Sequence, residues 1–502
     1  MEVRRSLVVN STPLETRIAL LENGQVCELF IERSSHVSQV GDVYKGRVAK
    51  LLQGMQSAFV TIGGPKDGFL YVDEVEAYRL EELEEAPLDD EDPGTTLEFA
   101  AMPVALPPLR EGEEVLVQVV KDPIGSKGPR LSRHLSFPGR FLVFMPGIEH
   151  IGISRKITDP EERERLRQLI KGHAQPGEGF IVRTAAIGEK DEDLLSDITA
   201  LRDLWAEAQS RVAAKPAPSL VWQDSRLLQK VLRDLFREEV ASFWVDREDT
   251  YREVVAFVEK LHPEWVSRVK HFTSDLPLFE AFGIEKEVEL ARQPKVFLKR
   301  GGSLVINQTE ALVSVDVNTG KFVGKKDLEE TVFLANLDAI PEIVRQLRLR
   351  NLGGIIVIDF IDMVDPAHRE AVMARLQEEL VRDRNHARAA AISEFGLVEM
   401  TRKRTGPSLD RLLTSVCPHC EGSGRRLSPE SALLTVYREL ARRGEQLRGS
   451  TVRISMHPEY RSALSAETRE GVAHLAKAFG AQLVWIDRTE GPVHTVHFDV
   501  RS

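Results

Sequence analysis

Two aspartates stand out by type and by place. In ALVSVDVNTG, Asp316 and Asn318 are two residues apart in a run rich in valine. That run reads as a strand, and residues i and i+2 of a strand share a face. GIIVIDFIDM repeats the pattern and ends in Asp359. A carboxylate inside an apolar strand is costly unless it is paired or metal-bound. Ligands of open α/β sheets gather beyond the carboxyl ends of the strands. Two such strands side by side would bring Asp316 and Asp359 together. Mg²⁺ is usually held in that way, by one or two carboxylates and several retained waters. A metal so placed generates or orients a hydroxide and stabilises charge on a phosphoryl oxygen. The same spacing also suits two aspartates that cap turns or pair with arginine. Asp362 suits the cap of a helix beginning near residue 366.

The cysteines carry a second chemistry. CPHCEGSG places Cys417 and Cys420 on a C-x₂-C knuckle, and the one other cysteine is Cys27. Structural zinc takes four ligands, and one chain supplies two, because His419 sits between the cysteines and does not reach the same ion. The simplest completion is one zinc shared by two chains, each donating Cys417 and Cys420, which predicts a dimer. A thioredoxin-like redox pair is the other reading, without the βαβ context it needs. Cys27, in QVCELFIER, is expected to face a core.

Other residues suit a nucleic-acid chain. Phe59 (QSAFVTIGG) and Phe69 (KDGFLYV) flank a glycine-rich turn, and bases stack on exposed aromatic rings. Lys121 and Lys127, in KDPIGSKG, could follow phosphates, although a phenylalanine in a barrel strand is core by default. Arg183 and Thr184 end the strand GFIVRTAA, where an arginine fork with a hydroxyl alongside suits a phosphate. Arg155, in GISRK, could join them; a surface ion pair is the plainer account.

The elements that must position these residues follow from patterning. The chain has 502 residues, 42 % of them hydrophobic, and a net charge of −11. Length suggests three or four domains. An acidic total argues weakly against nucleic-acid binding, but the acid is concentrated in Glu81–Asp92, while Arg345–Arg350 and Arg402–Arg404 are basic. No apolar run is long enough for a membrane helix, the N-terminus does not read as a signal peptide, and three cysteines make no disulfide framework; a reducing cytoplasm is expected. Residues 1–37 read as two strands joined by a Glu-Asn-Gly turn. Short strands with glycine turns over 38–133 suggest a small closed barrel, interrupted at 76–110 by an acidic and proline-rich surface insertion. Helices are expected near 159–173 and 190–213, and 229–291 is expected to be largely helical. Over 292–413 strands alternate with helices, an α/β layer. The remainder begins with a helix and continues as a small α+β unit.

VSVDVNTG, RQLRLRNLGGIIVIDFIDM, FGLVEMTRKR and CPHCEGSG, in this order, resemble the ribonuclease E/G family. DVYKGRV, AFVTIG, VKDPIGSKG, FLVFMPG and GFIVRTAA are similar to its N-terminal half, so the resemblance covers nearly the whole chain. It implies a multidomain α/β and α+β protein of the family's short type, which lacks the long C-terminal scaffold tail. Residues 1–37 with 229–291 would form a discontinuous RNase H-like domain, 38–133 an OB-fold, 134–228 a 5′-sensing domain, 292–413 a DNase I-like catalytic domain, 414–426 the zinc link and 427–502 a small C-terminal domain. Asp316 and Asp359 match the family's magnesium ligands, with Asn318 in support, and Cys417 and Cys420 match its shared-zinc cysteines. Phe59, Phe69, Lys127 and Lys121 match its RNA-binding face. Arg183 and Thr184 match a pocket for a 5′-monophosphate, lined by Gly139, Val143 and Arg155. The implied activity is cleavage of single-stranded A/U-rich RNA, leaving a 5′-phosphate and a 3′-hydroxyl, in maturation of ribosomal RNA 5′ ends and decay of messenger RNA, by a homodimer or a dimer of dimers. In DRNHAR the sequence leaves open which of Arg384, His386 and Arg388 contacts RNA. The competing reading is a non-catalytic RNA-binding or filament-forming protein.

Overall fold

Among the described residues, valine- and isoleucine-rich runs separated by glycine and proline turns give five sheets, divided between a unit of residues 1–412 and a unit of residues 413–502. The structure, a computed structural model, describes residues 3–35, 37–71, 108–123, 127–154, 156–320, 328–418, 420, 422–489 and 496–501. The segment expected as an insertion, 76–110, lies outside the described residues up to 107.

The N-terminal segment forms three strands where two were expected: Arg5–Ser11, Glu15–Glu22 and Gln25–Arg33. Asn23 and Gly24 supply one turn with φ of 51° and 80°, the left-handed geometry that an Asn-Gly hairpin turn requires. The second turn closes where Thr12 N donates to Glu15 O at 2.8 Å. Arg5–Ser11 then pairs in parallel with Val240–Val245, which pairs with Val269–His271. The region 229–291, expected to be largely helical, holds the helices Leu227–Asp234, Glu248–Leu261, Leu278–Ala281 and Ile284–Ala291, with these two strands set among them. The β-branched and aromatic run VASFWV becomes a strand because Val240, Phe243 and Val245 fill one core with Leu7 and Val9.

Strands Val43–Leu52, Ser57–Thr61, Gly68–Tyr71, Arg130–Ser132 and Glu114–Lys121 close into the expected barrel, the first pairing with the last. Gly68 belongs there because a Cβ would lie 2.4 Å from Leu131 Cδ1. Next, Phe137–Pro138, Leu142–Pro146, Glu178–Val182 and Ile151–Ile153 make a four-stranded sheet. Helices Pro160–His173 and Asp191–Ala214 share a core with it.

The largest sheet outside the barrel runs in the order Lys295–Phe297, Ser303–Gln308, Leu312–Asn318, Gly354–Asp359, Leu397–Arg402, Ala387–Ala389. Helices Leu328–Leu349 and Pro366–Leu380 cover one face, burying Val313, Val315, Ile356 and Ile358 against Ile343 and Leu376. In the unit 413–502, Thr451–Met456 pairs with Gln482–Asp487 and His497–Arg501, packed on helices Pro429–Arg443 and Ala466–Ala478.

The arginine runs do not form the basic surface that composition suggests. Arg348, Arg350 and Arg402 are buried. Arg348 Nη2 lies 3.0 Å from Glu22 Oε1 and 2.9 Å from Glu28 Oε1, tying the helix Leu328–Leu349 to the N-terminal hairpin. Arg402 Nε bonds Asp383 Oδ2 at 2.5 Å. Burial pushes the Glu28 carboxyl up, but the guanidinium groups of Arg384 and Arg348 more than offset it, leaving it below the usual carboxylate range. Glu22 is lowered too, with burial opposing and Arg348 prevailing. Removing one partner of a buried pair strands the other charge, so Arg348→Met should cost about 3–5 kcal/mol in urea unfolding at neutral pH. Folded-state carboxyls held low contribute stability above their unfolded pKa and lose it as pH falls through the folded one, so the deficit should shrink in acid. A variant as stable as the parent at neutral pH would contradict this seam.

Candidate active site and nucleic-acid interface

Leu312–Asn318 pairs in parallel with Gly354–Asp359, with Asp316 opposite Asp359. Val313, Val315 and Val317 point into the core, while Asp316, Asn318 and Asp359 are exposed on the other face. Burial cost is therefore not what marks these aspartates; strand parity delivers them to an open face. Asn318 Nδ2 donates to Asp316 Oδ2 at 2.8 Å. The Asp359 carboxyl is raised, by partial burial first and then by the charges of Asp316 and Asp362.

The chain beyond Asp359 is held from beneath. Asn336, fully buried, donates through Nδ2 to Ile361 O at 2.8 Å and accepts from Ile361 N at 3.1 Å. Glu329 accepts from Val364 N at 3.0 Å and Asp365 N at 3.1 Å. Asp365, not Asp362, caps the helix Pro366–Leu380, accepting from Ala367 N at 2.9 Å. Asp362 thus stays on an exposed loop, adding its charge beside Asp359. Neither Asn336 nor Glu329 was singled out from sequence, since a polar residue on an amphipathic helix carries no signal of what it bonds. Among the described residues no cluster of three or more His, Cys, Asp or Glu could hold a metal. The oxygen donors that could hold a metal here are the aspartate pair with Asn318. Two carboxylates on an open face fit Mg²⁺, which keeps several waters, better than an ion that needs a full protein cage.

On the barrel, Phe59 and Phe69 are cross-strand partners with ring centroids 5.8 Å apart. They alternate with buried Ala58, Val60 and Leu70, so both are half-exposed on the outer face rather than in the core. Tyr71 extends the row, 4.9 Å from Phe69, and the Arg130 guanidinium lies 5.0 Å from the Tyr71 ring. Lys50 stands opposite Phe59, and Lys121 opposite Arg130. Lys121 and Lys127 are exposed. Tyr71 was readable, being two residues beyond Phe69 on one strand; Arg130 and Lys50 needed the pairing.

Of the residues expected to line a 5′-phosphate pocket, Arg183 and Gly139 are brought together. Arg183 Nη1 donates to Gly139 O at 2.8 Å, and Nη2 to Asp234 Oδ1 at 2.7 Å. Asp234 titrates at about 2: burial opposes this, and Arg233 and Arg183 prevail. Much of the Arg183 fork is thus engaged within the protein. A Cβ at Gly139 would lie 2.6 Å from Asp197 Oδ2, a carboxylate that accepts from Phe141 N at 2.9 Å and Leu142 N at 3.0 Å. The Val143 side chain is buried with Met145, Ile148 and Ile181. Thr184 opens the short turn Thr184–Ala186 after Arg183. Arg155 lies outside the described residues. Of the DRNHAR residues, Arg384 is paired with Glu28, His386 is half-buried and Arg388 is exposed.

Cys417 is exposed and Cys420 half-buried, in a loop where Ser423 N donates to Cys420 O at 2.8 Å. His419 lies outside the described residues. Cys27 is buried, and its thiol is pushed up to about 12 by burial.

The fold and site define a class: a chain with an aromatic-faced β-barrel and an α/β sheet that carries an open carboxylate pair. The sequence pattern of the ribonuclease E/G family matches residues 136–405. Ribonuclease G of Escherichia coli (strain K12) is 38 % identical over 477 residues, 95 % of this chain and 96 % of that protein. Ribonuclease G of Haemophilus influenzae is 39 % identical over 436 residues, 87 % of each. Ribonuclease E of Escherichia coli (strain K12) is 36 % identical over 438 residues, 87 % of this chain but 40 % of that longer protein. The chain belongs to the ribonuclease E/G family.

Proposed function

We propose that this chain is a Mg²⁺-dependent endoribonuclease that hydrolyses phosphodiester bonds in single-stranded, A/U-rich RNA. The observation that carries the reading is the in-register pair Asp316–Asp359 on an open sheet face, in a chain related along its length to proteins named ribonuclease G. Bases stack on Phe59 and Phe69 while Lys121 and Lys127 follow the phosphates. Asp316 and Asp359 would hold Mg²⁺, which when bound supplies a hydroxide at neutral pH and stabilises charge on the phosphoryl oxygens. Asn318 orients Asp316, and Asn336 fixes the chain beyond Asp359. Water attacks phosphorus, the bond to the 3′ oxygen breaks, and that oxygen leaves as a 3′-hydroxyl with the phosphate on the 5′ side of the next nucleotide.

The finer reading gives Gly139, Val143, Arg155, Arg183 and Thr184 a 5′-monophosphate to hold, and makes ribosomal RNA precursors and messenger RNA in the cytoplasm the substrates. Cys417 and Cys420 would hold one Zn²⁺ with the same pair from a second copy. A two-thiolate knuckle fits half of a tetrahedral site.

In a cleavage assay on a 5′-monophosphorylated oligonucleotide, Asp316→Asn and Asp359→Asn should each lower the Mg²⁺-dependent rate by about 100-fold or more. Unchanged rates would sink the metal assignment; intact RNA with every form, and binding unaltered, would favour the non-catalytic binder. In the same assay Arg183→Ala should narrow the preference for a 5′-monophosphate over a 5′-hydroxyl, whereas equal loss on both would restrict Arg183 to holding Asp234. Zinc chelation, or Cys417→Ser, should lower the mass seen by light scattering; a constant mass would contradict the shared ion.

A further inference from the structure

Two exposed phenylalanines, one on the sheet face that carries the aspartates and one in a turn beside that sheet, have no part in the reading so far. Cross-strand partners share a face. Phe297 on the edge strand stands opposite Ser303, and Ser303 opposite Asn318. Phe297 is therefore in the row of Asn318, two strands away, or about 10 Å at the usual strand spacing. Its side chain is on the open face and 77 % exposed, while its neighbour Leu298 is buried in the core. The Lys295 ammonium lies 5.3 Å from the Phe297 ring. Arg292 and Lys299 are exposed nearby in sequence.

On the other side, Asp359 stands opposite Leu397. The turn leading into Leu397 is closed by Ser393 N to Leu397 O at 2.8 Å and Gly396 N to Ser393 O at 3.0 Å. Gly396 adopts φ +78°, and a Cβ there would lie 3.0 Å from Asp362 Oδ1. The turn thus lies against the aspartate loop, and a glycine permits the approach. Phe395, the residue before it, is 85 % exposed. Two exposed phenylalanines thus flank the carboxylate pair, one in the strand row of Asn318 and one in the turn against the aspartate loop.

We propose that Phe297 and Phe395 are base-stacking positions on opposite sides of the phosphodiester to be cut, each holding a base that flanks it, with Lys295 neutralising the backbone. The proposal rests on the ribonuclease reading and deepens it by naming what grips the substrate at the cut. Single-stranded nucleic acid fits better than a second protein surface. Between the rings lie Asp316, Asn318 and Asp359, a charged centre of the kind that protein–protein interface cores avoid, whereas stacking needs only isolated rings with cations beside them. Because every base has a π-face, these positions add affinity without strong sequence preference.

The test uses the full chain and an oligonucleotide with a single cleavage site. Phe297→Ala and Phe395→Ala should each lower kcat/KM about 10-fold, Leu replacements should do the same, and Trp replacements should restore it. In an Asp316→Asn background, 2-aminopurine placed beside the cleavage site should be quenched on binding, and less so when either Phe is Ala. Ala variants with parental kcat/KM and quenching, or Leu variants equal to the parent, would overturn the stacking role. A fall in mass by light scattering in the Ala variants would also overturn it, assigning the rings to contact between copies. Cleavage surviving in Asp316→Asn alone would instead overturn the underlying site reading, which keeps the two failures distinct.

Discussion

The parallel, in-register pairing of Leu312–Asn318 with Gly354–Asp359 is the constraint on which the site depends. Side chains alternate faces along a strand, so a slip of one residue would turn Asp359 toward the helices and away from Asp316. The register is held by the opposite face, where Val313, Val315, Ile356 and Ile358 fill one core. Parallel neighbours need a long crossover, and the helix Leu328–Leu349 lies within it. That helix does more than connect. Its first half presents Glu329 and Asn336 to the loop after Asp359. Its second half sends Arg345 and Arg348 to the N-terminal hairpin, where Arg345 Nη1 bonds Val26 O at 3.0 Å. The site and the neighbouring sheet are therefore fastened to one helix.

Charge is distributed by the same logic. The acidic total hides arginines that face inward, toward Glu22, Glu28 and Asp383. Two exposed lysines lie beside exposed or half-exposed rings: Lys50 opposite Phe59 on the barrel and Lys295 over Phe297 on the sheet edge. An exposed cation next to an exposed ring suits a chain of phosphates and bases, because one neutralises while the other stacks. At the four-stranded sheet of Leu142–Pro146 and Glu178–Val182 the balance differs, since Arg183 and the backbone N–H groups of Phe141 and Leu142 already bond Asp234 and Asp197. The proposed 5′-phosphate would have to compete there with carboxylates that the protein supplies itself.

Much of this was legible in the sequence, for identifiable reasons. Strand parity placed Asp316 with Asn318, and the closed barrel and the crossover helices followed from periodicity. What was not legible is non-local. VASFWV looked like part of a helical stretch until its parallel partner, more than two hundred residues away in the chain, made it a strand. Three N-terminal strands passed for two because a proline-containing turn does not announce which residues flank it. The aspartates seemed buried because the alternation of valine was read without knowing which face the helices cover. The clamp of Asn336 on Ile361 and the row Phe59, Phe69, Tyr71 with Arg130 required pairing that no local pattern encodes.

The central claim, that one ion is held jointly by two aspartates brought together by strand register, is tested most directly by a double-mutant cycle on Mn²⁺ binding, read by electron paramagnetic resonance as free and bound metal. Groups that act on one ligand are strongly non-additive. The account predicts that Asp316→Asn, Asp359→Asn and the double variant lose high-affinity binding to nearly the same extent. Losses that simply add, or a single variant that binds Mn²⁺ as tightly as the parent, would contradict it.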